Sequence, residues 1–74
     1  MSYYKVTFES GTMILLPAKS GDSARAKAKR ILKEEGYKGG YSSPIMTEPI
    51  SQSFYIAYHD NEIDRSKKYA IIEY

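Results

Sequence analysis

Tyr4, Val6 and Phe8 alternate with Tyr3, Lys5 and Thr7, a period of two that predicts a β-strand with one face turned inward. Glu9-Ser10-Gly11-Thr12 follows, with a glycine able to take positive φ, and predicts a tight hairpin. Met13 to Leu16 is the return strand, expected to stop at Pro17 because proline has no N–H to give to a ladder. The pattern then changes. Ser20-Gly21-Asp22-Ser23 is rich in groups that cap a first helical turn, and Asp22 to Glu35 holds strong helix formers with no internal Gly or Pro. Ala24, Ala28, Ile31 and Leu32 fall within about 100° of one another at 3.6 residues per turn, a narrow apolar stripe. Its two alanines let the helix lie close to a sheet, and Gly36 is placed to end it in the left-handed conformation.

Beyond the helix the signals are shorter. Gly36 to Pro44 is a Tyr-bearing loop with Gly39-Gly40, expected to be mobile. Ile45 to Ile50 reads as a short strand that Pro44 and Pro49 confine to a sheet edge. Phe54 to Tyr58 and Tyr69 to Tyr74 read as two further strands, joined by a polar loop from His59 to Lys68. The expected architecture is a single α+β domain over residues 1–74, ordered β-β-α-β-β-β, with one helix packed on one face of an antiparallel sheet.

Length limits what this chain can do. Seventy-four residues make one small domain, because a second core would leave neither half enough apolar surface to bury. Cysteine is absent, which removes disulfides, thiolate zinc sites and thiol nucleophiles together. One histidine cannot build a His-rich metal site. The N-terminus lacks the long apolar run of a signal peptide, so a cytoplasmic chain with no membrane segment is expected. Eight tyrosines and no tryptophan make tyrosine the main aromatic, suited to half-buried strands and to binding surfaces alike.

Tests for catalytic or metal chemistry fail in turn. Asp60, Glu62 and Asp64 mimic the first ligand positions of a calcium loop, but Arg65 stands where such a loop needs glycine and Ile71 where it needs glutamate. His59 beside Asp60 has no serine elbow or second histidine to complete a triad, and reads as a strand-end surface residue. Asp22 would repel a phosphate at the helix start, which therefore reads as a cap. No enzyme activity, cofactor or metal is expected.

Charge supplies the one functional signal. Residues 19–38 carry seven of the eleven basic residues against three acidic ones, within a chain of net charge +2. Arg25, Lys29 and Lys33 are spaced i, i+4, i+8 and form a row of like charge, whereas Arg30 and Glu34 alternate in sign on the neighbouring row. Such a bare row is either a solvated face or a surface for an anionic partner, nucleic-acid phosphates or acidic protein. The modest net charge speaks against general nucleic-acid binding.

The run Gly11-Thr12, Ala18, Ser20, Ala28-Lys29-Arg30-Ile31, Gly39 or Gly40, and Ala57-Tyr58 before a last strand resembles small phage-encoded anti-CRISPR proteins. The likeness is to inhibitors of the type I-F surveillance complex, built as one helix on a five-stranded antiparallel sheet. The chain departs from that pattern in its extra residues before the helix, its longer last loop and its lack of tryptophan. The resemblance implies a small phage or mobile-element protein acting in the host cytoplasm, with Lys29 and Arg30 facing the partner's nucleic-acid channel. The leading expectation is a non-enzymatic binding protein that docks its basic helix onto a host protein or nucleoprotein complex. A direct nucleic-acid binder is the alternative, with Arg25, Lys29, Arg30 and Lys33 on phosphates and Tyr37 or Tyr41 as stacking rings. A structural phage protein or self-associating homodimer, joined through an open sheet edge, is the third.

Overall fold

The computed structural model describes residues 2–35, 43–59 and 68–72. The alternation of Tyr4, Val6 and Phe8 forms β1 (Ser2–Phe8), and the turn after it closes through Gly11 at φ 93°. That left-handed conformation lets the Gly11 amide donate to the Phe8 carbonyl at 2.9 Å, while the Phe8 amide donates to the Thr12 carbonyl at 2.9 Å. β2 (Met13–Ala18) then pairs antiparallel with β1, setting Val6 opposite Ile14 and Tyr4 opposite Leu16.

Pro17 does not end this strand as expected; β2 runs on to Ala18. Among the described residues the other neighbour of β2 pairs only with Met13, Ile14 and Leu15, which leaves that side of Pro17 without a ladder partner. An open edge tolerates a residue without a donor.

Helix α1 (Gly21–Glu34) begins one residue earlier than predicted. Ser20 is extended at φ −155°, and its Oγ accepts from the Ser23 amide at 3.2 Å, the capping role expected of this stretch. Ala24, Ala28 and Leu32 are fully buried against Val6, Phe8, Ile14, Leu16 and Ala18, with Ile31 half-buried at the margin. The residue at Gly36 that would cap the far end lies outside the described residues.

β3 (Pro44–Ile50) pairs antiparallel with the free side of β1 and lies at the sheet edge, where its two prolines belong. β2 and β3 therefore flank β1 and run parallel to each other. Two parallel strands need a long crossover, and α1 is that crossover.

The main departure from the sequence reading follows. Phe54 to Tyr58 is not a strand but part of helix α2 (Gln52–His59). The Ser51 Oγ accepts from the Phe54 amide at 3.1 Å, and the Ser51 carbonyl accepts from the Tyr55 amide at 3.1 Å. The cause is tertiary. With α1 on one face of the sheet, Tyr3, Leu15 and Ala70 remain on the other, and another edge strand would leave them bare. A helix lays Tyr55 over them, and Leu15, Tyr55 and Ala70 form a second buried cluster. His59 accordingly closes a helix rather than a strand.

β4 (Ala70–Ile72) pairs antiparallel with β2 and completes a four-stranded sheet in the order β3-β1-β2-β4. The described order is thus β-β-α-β-α-β: α+β and antiparallel as expected, but with four strands instead of five and two helices instead of one. The loop with Tyr37, Gly39-Gly40 and Tyr41, the acidic run Asp60 to Asp64, and the last two residues of the chain lie outside the described residues.

Candidate binding surface

The register of α1 decides what its side chains can do. Because Ala24, Ala28 and Leu32 all turn into the sheet, Arg25, Lys29 and Lys33 are carried outward along one flank and the top of the helix, and all three are exposed. Arg30 is exposed on the other flank and Lys27 half-exposed beside it. The helix holds these five cations against Asp22 and Glu34, a net charge of +3.

Two of the cations have nearby carboxylates. Arg25 Nη2 lies 3.5 Å from Asp22 Oδ1, and Arg30 Nε lies 3.8 Å from Glu34 Oε1, both pairs well exposed. Exposed pairs of this kind contribute about 1 kcal/mol at most. Lys29 and Lys33 form no ion pair among the described residues. The row is therefore bare at its centre and its C-terminal end, as its spacing suggested.

Two hollows border this helix. One, of about 420 Å³, is lined by Asp22, Arg25, Ala26 and Lys29 together with Pro44 at the start of β3. The other, of about 380 Å³, lies on the opposite flank, where Lys27 and Arg30 face Lys68, and Tyr69 stands in its wall. The Tyr69 hydroxyl donates to Glu35 Oε1 at 2.6 Å, which ties the segment entering β4 to the C-terminal end of α1.

The candidate residues thus divide. Arg25, Lys29, Arg30 and Lys33 share one exposed helix, while Tyr37 and Tyr41 lie outside the described residues. Sequence reasoning missed Lys27 and Lys68 as site residues. Lys27 was visible as the i−3 neighbour of Arg30; Lys68 reaches the helix only through the placement of β4.

On the far face the surface is different in kind. α2 contains no Asp, Glu, Lys or Arg, and Phe54, Ile56 and Tyr58 are each about 40% exposed. The Phe54 and Tyr58 rings sit 4.9 Å apart, one helical turn from each other. Tyr55 points inward, with its ring centroid 4.6 Å from that of Tyr3, and burial pushes its phenol above the ordinary range, Tyr3 adding to the shift.

Among the described residues no group of three or more His, Cys, Asp or Glu side chains could hold a metal ion, and no helix is long and apolar enough to cross a membrane. Compared with protein-family models, curated proteins and solved structures, the chain matches none.

Proposed function

We propose that this chain is a non-enzymatic binding module that docks the outward face of α1 onto a negatively charged surface of a host protein or nucleoprotein complex. One observation carries the reading: Ala24, Ala28 and Leu32 of the α1 stripe are buried on the sheet, and the face left to solvent bears Arg25, Lys29 and Lys33 with two of the three unpaired among the described residues. Like charges in such a row repel by a few tenths of a kcal/mol per pair, roughly 0.2–0.5, and an anionic partner removes that cost. Arg30 extends the cationic surface to the second flank. In the setting that the anti-CRISPR resemblance implies, the partner would be a host surveillance complex. The four-stranded, two-helix architecture departs from that family's one-helix plan, so the resemblance supplies a setting and not the partner.

The test is the triple reversal R25E/K29E/K33E, which leaves the apolar stripe untouched. The expected result is loss of partner recovery from host lysate with an unchanged thermal midpoint, because the complementary surface now meets like charge. Recovery equal to that of the unmodified chain would make the row a solvated face. Nuclease treatment and salt then separate the two kinds of partner. Direct phosphate binding is nuclease-sensitive and weakens with a log–log salt slope near −0.9 per phosphate neutralised on duplex. A protein interface survives nuclease and responds less to salt.

A further inference from the structure

The hollow on the second flank of α1 is assembled by the fold and not by helix periodicity. Lys27 and Arg30 come from the helix, whereas Lys68 arrives from the segment entering β4, far away in sequence. Leu16, buried, and Ile31 and Pro17, half-buried, give the hollow an apolar lining beneath these cations. Among the described residues that line it, three positive side chains stand against one carboxylate, that of Glu34. That carboxylate is held, among the described residues, by the exposed 3.8 Å contact with Arg30, which gives way easily to a competing anion. The wall opposite the helix is fixed, because Tyr69 packs against the core and its hydroxyl is bonded to Glu35.

A site of this composition selects a particular chemistry. Lysine stems lie along apolar surface while their ammonium groups reach outward, so the hollow offers an apolar seat rimmed by positive charge. Its volume of about 380 Å³ falls within the range of ligand pockets and holds one or two side chains, not a duplex. Single-stranded nucleic acid is tracked by open grooves with stacking rings, whereas the apolar floor here is formed by Leu16, Pro17 and Ile31, the Tyr69 ring in the wall is tied to Glu35 through its hydroxyl, and the rim carries a carboxylate. We propose that this hollow binds an acidic peptide segment of a protein partner, seating an apolar side chain on Leu16 and Ile31 and pairing its carboxylates with Lys27, Arg30 and Lys68. The site is separate from the Arg25-Lys29-Lys33 row and does not depend on its function; Arg30 alone belongs to both surfaces.

The test is an amide chemical-shift titration of the ¹⁵N-labelled chain with the capped hexapeptide Glu-Glu-Leu-Phe-Glu-Glu. The expected result is saturable perturbation centred on Leu16, Lys27, Ile31 and Tyr69. Affinity should fall at least about tenfold for Glu-Glu-Ser-Ser-Glu-Glu, which lacks the anchor, and for Lys-Lys-Leu-Phe-Lys-Lys, which reverses the charge. The same loss is expected for K27E/K68E, with K27Q/K68Q as the milder substitution should the first unfold, while R25E/K29E/K33E should bind the peptide within about twofold. Perturbations centred on Arg25, Lys29 and Lys33 would overturn the proposal, and so would equal binding of the anchorless peptide. A short DNA duplex that displaces the hexapeptide from these resonances would overturn it as well. A triple reversal that loses its lysate partner yet keeps the hexapeptide separates the two surfaces; one that keeps both refutes only the role of the row.

Discussion

The two helices cover opposite faces of one sheet and do so by different means. α1 has fourteen residues and seats Ala24, Ala28 and Leu32 at spacing i, i+4, i+8, each without exposed surface. α2 has eight residues and, of its described side chains, buries Tyr55 alone, leaving Phe54, Ile56 and Tyr58 partly in water. The sheet face beneath α1 is apolar along β1 and β2, where Val6, Phe8, Ile14, Leu16 and Ala18 are buried, while the face beneath α2 carries the Lys5–Glu48 pair at 3.5 Å between β1 and β3. A domain this small has apolar surface for one dense layer and one thin one. The dense layer frees the outer face of its helix for charge; the thin layer leaves its helix apolar outside. An eight-residue helix is too short to form alone, so α2 exists because Tyr55 is anchored.

The largest effect expected from this contrast is at Leu32. Leu32→Ala should cost about 2–5 kcal/mol in chemical denaturation, enough to threaten the whole domain. Tyr55→Ala should cost less, about 1–3 kcal/mol, and should act locally. Amide exchange would then accelerate across residues 52–59 while Ala24 to Leu32 keep their protection. Equal costs at the two positions, or loss of protection in both helices together, would mean that the layers form one cooperative unit and the contrast is false.

The caps probe the same difference at smaller scale. Both helices are capped by serine, Ser20 on Ser23 and Ser51 on Phe54. Ser20→Ala should lower global stability by about 1 kcal/mol, whereas Ser51→Ala should lower it by about 0.5 kcal/mol and chiefly fray α2. Thermal unfolding together with exchange at residues 52–59 distinguishes these outcomes.

The smallest effect is in alkaline solution. The folded chain holds the Tyr55 proton more tightly than the unfolded chain does. This contribution is therefore fully present below the ordinary phenol value of about 10 and is lost as pH rises through the higher folded value. Denaturation curves between about pH 8 and pH 11 should show stability declining at the upper end, less so in Tyr55→Phe. An identical slope in that variant would show that Tyr55 ionises freely.

The local signals that proved readable are those backed by sterics and by burial on a single surface. The Gly11 turn, the Ser20 cap and the stripe through Leu32 each follow from neighbouring residues: a positive φ, a free amide, a period of 3.6. The basic row was legible for the same reason, since fixing the stripe fixes the opposite face. Phe54 to Tyr58 was not legible, because aromatic and β-branched residues favour strands in isolation and nothing within five residues shows which face they will meet. One hint did exist. Met13-Ile14-Leu15-Leu16 is an unbroken apolar run, the mark of a strand covered on both faces, and Leu15 turns away from α1 toward Tyr55. The meeting of Lys68 with Lys27 and Arg30 had no local signature at all. The sequence determined the β-hairpin, α1 and the charge on its outer face, because these depend on backbone geometry and short-range periodicity. The second helix and the cationic hollow depended on which strands became neighbours, and that is set by burial of distant surfaces against one another.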